Sequence, residues 1–487
     1  MLVEPNVPDR IETIGILIAI ILASCLALVA AGHAIVYKRD PKGAALWVIL
    51  CLLVPFAGPW FYWVFGINRL ERRAAKILRR RPQPFDLRKT DDEDHLTTAE
   101  TQTVGELGRL LVVADHVTRL PLVSGNDIAP LSNGEQAYPA MLEAIRTAER
   151  SVTLASYIFD WDDVGRTFCA DLAEAAGRGV QVRVLLDGVG AVLSWSRIGR
   201  SLIKSGAKVA AFFPLRFPFG RLRINLRNHR KILVVDGKIG FTGGMNISSR
   251  HLVENDNPGR CEDLQFRVTG PVVGEMQHIF AEDWLFATNE QLEGEDFFPA
   301  LRACGTAVCR GIASGPDEDF EKIHWILLAA FAAARHSVYI ATPYFIPTMD
   351  LMSAMILAAM RGVKITLVLP QIVDHRFMRW AADAYLWQLL QHGIRIFRRP
   401  APFAHTKLLM VDETWVLLGS ANLDPRSFRL NFEFNIEVYD GRLAKYVCDR
   451  LERETSRLTP VTLEEMDRRG LLRKLRDGAM KLFSPHL

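Results

Sequence analysis

The sequence predicts an α/β protein made of two pseudo-twofold-related half-domains with mostly parallel or mixed sheets, preceded by an N-terminal transmembrane helical segment. Three observations predict it. His229-x-Lys231-x4-Asp236 and His405-x-Lys407-x4-Asp412 spell one motif twice, 176 residues apart. The segments around the two copies repeat in the same order. The chain up to Phe65 holds two apolar runs. With 487 residues, 49% of them apolar, and a formal charge of +4, the chain suits two similar half-domains plus an appendage.

The first apolar run, 14–36, is long enough to span a bilayer. Glu4, Asp9 and Glu12 precede it, which does not suit a signal peptide. The second run, 44–65, contains Pro55, Gly58 and Pro59 and ends in Trp60, Tyr62 and Trp63. It reads as a full span or as a kinked, re-entrant segment. Only Arg10 precedes the first run. Lys38, Arg39 and Lys42 separate the two, and seven basic residues from Arg69 to Arg81 follow. With one span or two, this excess places the remainder of the chain in the cytoplasm. The expected division is a membrane anchor over 1–70, a polar connector over 71–120, half-domains over 121–300 and 301–460, and a basic amphipathic tail over 461–487. The acidic run Asp91-Asp92-Glu93-Asp94 reads as solvated linker.

Each half reads strand, helix, Arg-Gly-Val turn, strand, then motif strand. Ser151–Tyr157 parallels Ser337–Tyr344, and Arg178-Gly179-Val180 parallels Arg361-Gly362-Val363. The helices are the runs Phe168–Gly177 and Met352–Met360, each closed by Arg-Gly. Ile232–Val235 and Leu408–Val411 read as buried parallel strands. Two segments before the motifs, Phe212–Arg223 and Phe397–Phe403, mix aromatics with arginine. That composition suits a rim gathering anionic headgroups and equally a loop capping the core. The tail 471–487 offers Leu472, Leu475, Leu482 and Phe483 for one apolar face, to dock on the protein or on a bilayer. Seven scattered cysteines lack metal or disulfide spacing.

The motif residues suit phosphoryl transfer. On a strand, positions two apart share a face, which sets His229 beside Lys231 and His405 beside Lys407. One neutral imidazole can attack phosphorus while the other protonates the leaving oxygen. The lysines supply positive charge to the phosphate oxygens, and Asn246 and Asn422 donate further hydrogen bonds. The candidate catalytic set is therefore His229, Lys231, Asp236, His405, Lys407 and Asp412. Within it Asp236 and Asp412 are expected to brace the strand–turn rather than touch substrate. No metal or other cofactor is expected.

The duplicated motif resembles the signature of the phospholipase D superfamily. Asn225–Lys231, Thr342–Pro347, Gly419–Phe428 and Leu430–Glu433, with the apolar N-terminus, are similar more narrowly to the bacterial cardiolipin synthases. The resemblance implies that His229 is the nucleophile and His405 the acid/base. It implies that Asp263 and Glu433 orient the histidines, and that Ser427 and Asn431 lie near the pocket. It further implies a phosphatidyltransferase of the bacterial inner membrane that joins two phosphatidylglycerol molecules and releases glycerol. A hydrolase using water as acceptor stays open, as does a transferase drawing on another donor such as phosphatidylethanolamine. A phosphatidylserine synthase would need a nucleotide-linked lipid, for which no cradling loop is seen. Nucleases of the superfamily would not need the apolar runs, so no nucleic-acid partner is expected.

Overall fold

The computed structural model describes residues 7–38, 41–66, 105–188, 197–213, 226–255, 259–316 and 321–483. The basic residues from Arg69 to Arg81, the acidic run 91–94 and most of the first aromatic–arginine segment, 214–223, lie outside the described residues. The chain divides into two compact units, Met1–Lys76 and Ile77–Leu487.

In the first unit Val7–Tyr37 is one helix. Its stretch Glu12–Tyr37 is the one described segment long and apolar enough to cross a membrane. The second apolar run is not a single helix. Pro41–Leu53 stops before Pro55, whose ring and missing N–H interrupt the ladder. Ala57–Phe61 restarts it, and Tyr62–Gly66 winds more widely. Thirteen residues rise about 20 Å, short of a hydrocarbon core of about 30 Å. Ala31 and Ala34 let the first helix pack closely on Cys51 and Tyr62, and His33 Nδ1 meets the Tyr62 hydroxyl at 2.8 Å.

The second unit is built on seventeen described strands: β1 Val123–Ser132, β2 Ser151–Ser156, β3 Gln181–Asp187, β4 Lys208–Phe212, β5 Arg227–Asn228, β6 Ile232–Val235, β7 Ile239–Gly243, β8 Cys261–Glu262, β9 Leu264–Thr269, β10 Ala307–Ser314, β11 Ser337–Ala341, β12 Lys364–Pro370, β13 Arg395–Arg399, β14 Phe403–Ala404, β15 Leu408–Val411, β16 Trp415–Gly419 and β17 Asn431–Tyr439. One long sheet takes all but β8 and β14. Outward from an antiparallel junction between β1 and β10, one half runs β1-β9-β7-β6-β2-β3-β4 and the other β10-β17-β16-β15-β11-β12-β13. The two orders match strand for strand, so a pseudo-twofold relates the halves. Helices pack on the sheet: Asp163–Gly177 in the first half and Met349–Met360 in the second. Each ends at the expected Arg-Gly, where Gly179 and Gly362 adopt φ of +92° and +93°, conformations glycine takes without a Cβ penalty. Helix Gly108–Val117 puts Leu110 and Ala114 into the core of the second half.

The sheet is mixed, and one expectation about it fails. β2, β3 and β4 are parallel, as are β11, β12 and β13. The motif strands β6 and β15, expected to be parallel, are buried but antiparallel to both neighbours. The cause is the motif aspartate. Asp236 and Gly237 have φ of +51° and +63°, and Asp412 and Glu413 +50° and +51°. Each pair forms the centre of a tight hairpin turn closed by Lys238 N–H to Val235 O at 2.9 Å, or Thr414 N–H to Val411 O at 3.1 Å. A chain that reverses in two residues pairs with itself antiparallel.

Candidate active site

The His-x-Lys segments lie just before the strands β6 and β15 rather than within them. Two short parallel pairings place them. β5 pairs with β17, Arg227 opposite Asn431 and Asn228 opposite Phe432. β14 pairs with β8, Phe403 opposite Cys261 and Ala404 opposite Glu262. Carried one residue further, the first register sets His229 opposite Glu433 and the second sets His405 opposite Asp263. The backbone confirms the step: His229 N–H donates to Phe432 O at 2.9 Å and His405 N–H to Glu262 O at 2.7 Å. Each histidine is therefore held by an acid from the other half.

His229 Nδ1 lies 2.9 Å from Glu433 Oε2, and His405 Nδ1 lies 2.8 Å from Asp263 Oδ2. An ionised carboxylate only accepts, so each Nδ1 carries the proton and each Nε2 keeps its lone pair. Burial pulls both imidazoles down to about 4; Glu433 pulls His229 back up only in part, and Lys407 pushes His405 further down. Both rings are neutral at pH 7. Burial pushes the carboxyl of Asp263 up, but the bond from His405 and the positive charge that His405, Lys407 and His251 carry at acid pH outweigh it and hold the acid at about 2. Glu433 is likewise lowered on balance, by His229 and Lys231 against its burial.

Lys231 Nζ donates to His229 O at 2.8 Å. Lys407 Nζ donates to His405 O at 2.6 Å and reaches His405 Nε2 at 2.9 Å. Burial strips water from both ammonium groups, lowering Lys231 to about 7 and Lys407 in the same direction. Two buried lysines face two buried carboxylates, so it is lost hydration rather than a lack of counter-charge that weakens the ammonium form, and an anion entering between them favours that form.

The remaining expected residues divide. Asn246 Oδ1 accepts from Ile158 N–H at 3.2 Å, leaving its Nδ2 without a described partner. Asn422 is buried, and its Oδ1 has no described partner. Ser427 Oγ accepts from Asn422 N–H at 3.1 Å, and Asn431 Nδ2 donates to Glu433 Oε1 at 3.0 Å. Both therefore position other site groups. Asp236 and Asp412 stand at the far ends of the motif strands, about 23 Å along the chain from the histidines at strand rise. The Asp236 carboxylate accepts the N–H groups of Glu149, Arg150 and Ser151, and Asp412 those of Arg335, His336 and Ser337. They pin the entries of β2 and β11.

Four further residues enter the site that residue patterns did not mark. Ser420 Oγ donates to Glu433 Oε2 at 2.5 Å. The equivalent position is Gly244, where an added Cβ would stand 2.4 Å from Asp263 Oδ2. His251 occupies the place equivalent to Ser427; its Nε2 accepts from Asn246 N–H at 3.3 Å and its Nδ1 meets Cys261 O at 3.1 Å. Arg230, 1% exposed, pairs with Asp283 at 2.7 Å and donates to Glu433 O at 3.1 Å. The common 176-residue offset is the signal that could have singled out Ser420 and His251. Nothing local marks Arg230, whose partner lies 53 residues away.

A family model described as cardiolipin synthase, PLD-like domain, matches residues 141–284 and 327–455, one stretch in each half. A second, described as phospholipase D-nuclease N-terminal, matches residues 25–66. Cardiolipin synthase A of Pseudomonas fluorescens is 33% identical over 97% of this chain and 98% of its own length. Cardiolipin synthase of Geobacillus kaustophilus is 31% identical over 96% and 93%. Among solved structures, phosphatidylserine synthase of Haemophilus influenzae superposes with a TM-score of 0.60 at 14% identity, over 78% of this chain and all of that one, a likeness of fold. By its duplicated motif, its mirrored halves and these matches, the chain belongs to the cardiolipin synthase family of PLD-like proteins.

Proposed function

We propose that the protein is a membrane-bound phosphatidyltransferase that makes cardiolipin from two phosphatidylglycerol molecules and releases glycerol. The observation that carries this reading is the pair of neutral histidines, each with Nδ1 fixed by the acid of the opposite half. The names of the full-length relatives supply the lipid.

In the first step His229 Nε2 attacks phosphorus, the P–O bond to glycerol breaks, and His405 gives that oxygen its proton. The arriving phosphodiester brings the negative charge that lets His405 hold a proton. In the second step His405 takes the proton of a second phosphatidylglycerol hydroxyl, whose oxygen displaces His229 from phosphorus. An asymmetry supports this assignment of roles: Lys407 covers His405 Nε2, whereas no described donor covers His229 Nε2. Lys231, Lys407, Asn246 and Asn422 hold the phosphate oxygens; no metal or other cofactor takes part. The Glu12–Tyr37 helix anchors the chain in the inner membrane, and the basic residues after it keep the catalytic halves in the cytoplasm.

The test is the purified, detergent-solubilised full chain with labelled phosphatidylglycerol and no nucleotide, products read by mass. Cardiolipin with equimolar glycerol is expected. Phosphatidic acid alone would make water the acceptor and the protein a hydrolase. Product only on adding phosphatidylethanolamine would change the donor and leave the histidine chemistry in place.

A further inference from the structure

The helix Leu471–Leu482 is seated with its polar side inward. Asp477 is 1% exposed and pairs with Arg469 at 2.8 Å and Arg476 at 2.7 Å. Arg476 lies over the ring of Trp380 and Lys481 over that of Tyr385, both on helix Arg376–Gln391. At helical spacing Leu471, Leu472, Leu475, Leu482 and Phe483 fall in one stripe of about 120°. All five are exposed, from 55% to 83%. A helix packed on a water-soluble protein turns such a stripe to the core; here it faces out.

Beside this helix lies an open basin of about 1310 Å³. Eight arginines line it against three acidic side chains, so its walls carry a large positive excess. Arg398 and Arg469 share Asp383, and Arg468 takes Glu464. Arg376, Arg457 and Arg473 have no acidic partner among the described residues. Ile372, 54% exposed, adds apolar surface to the basin lining.

We propose that this face is a docking surface for an anionic phospholipid bilayer. The outward leucines and Phe483 enter the boundary between headgroups and acyl chains, while the unpaired arginines take lipid phosphates. The choice of a lipid occupant rests on the phospholipid reading of the catalytic site. Charge favours it over a second copy of the chain, since a twofold contact through this face would bring two arginine basins together.

The test is amide hydrogen exchange over residues 471–483 of the full chain in phosphatidylcholine nanodiscs, with and without phosphatidylserine. About tenfold slower exchange with phosphatidylserine is expected. That protection should vanish in Arg376→Glu/Arg473→Glu and in Leu472→Asp/Leu475→Asp. Equal exchange in the two lipids would overturn the proposal. Protection produced by inorganic phosphate in phosphatidylcholine discs would also overturn it, leaving a small-anion site. So would protection that grows with protein concentration in detergent, the mark of a subunit interface. Turnover of phosphatidylglycerol in detergent is measured alongside: a chain that is protected but makes no product keeps the docking face and loses the proposed chemistry.

Discussion

Nδ1 of His229, in the first half, bonds Oε2 of Glu433, in the second, at 2.9 Å, and the carboxylate is fully buried with Ser420 and Asn431 also bound to it. Glu433→Gln replaces an acceptor that dictates the tautomer with an amide that does not. It should lower kcat roughly 10³-fold or more while membrane insertion is kept, on the scale of losing the carboxylate behind a catalytic histidine. Steady-state assay of the purified variant checks this, and turnover within threefold of wild type, which is about 0.65 kcal/mol in the barrier, would refute the orienting role.

Lys231 is lowered to about 7 because burial strips its water. A bound phosphodiester favours the charged lysine, so above pH 7 binding should take up a proton. Affinity for a phosphodiester that does not itself titrate near neutrality should be highest below pH 7 and fall as pH rises toward 9. Calorimetry at pH 8 in two buffers of different ionisation heat reads the uptake directly. Equal heats would mean that the lysine is already charged without ligand.

Asp236 serves the hairpin and the entry of β2, through three backbone donors. Asp236→Asn tolerates the same left-handed conformation but weakens those bonds. A loss of about 1–2 kcal/mol of stability is expected, seen as a lower thermal midpoint, with the turnover of folded protein little changed. A kcat loss comparable to that of Glu433→Gln would return the aspartate to the chemistry.

Gly244 and Ser420 are equivalent positions with opposite tolerances. A Cβ at Gly244 would meet Asp263 Oδ2 at 2.4 Å, whereas the Ser420 hydroxyl supports Glu433. Gly244→Ser should displace Asp263 and cost more activity than Ser420→Ala, which removes the hydroxyl's bonds to Glu433 and to Phe434 N–H, each worth about 1–3 kcal/mol. The reverse order of effects would show that the two acids are held differently from this account.

Much of the candidate site was legible because duplication repeats residues at one offset, and Arg178-Gly179 with Arg361-Gly362 marked both helix ends. Strand direction was not, because an apolar run such as Ile232–Val235 is the same in parallel and antiparallel sheets. The Asp236-Gly237 pair was the overlooked sign of a hairpin. That Asp263 serves His405 and Glu433 serves His229 depends on β5 meeting β17 and β14 meeting β8. Those pairings are tertiary and leave no spacing in the chain. The tail's amphipathic pattern marked a helix and left open which side would face the protein.

The two short exchanged pairings also set a limit on dissection. A half cut free would retain its imidazole and lose the carboxylate that fixes it, so neither fragment alone could run the reaction. Two fragments mixed would regain a site only by meeting, and the rate at low concentration would rise with the product of both concentrations. Joining them in one polypeptide turns that encounter into an intramolecular one at an effective concentration on the order of millimolar or more. Activity per chain then becomes independent of dilution.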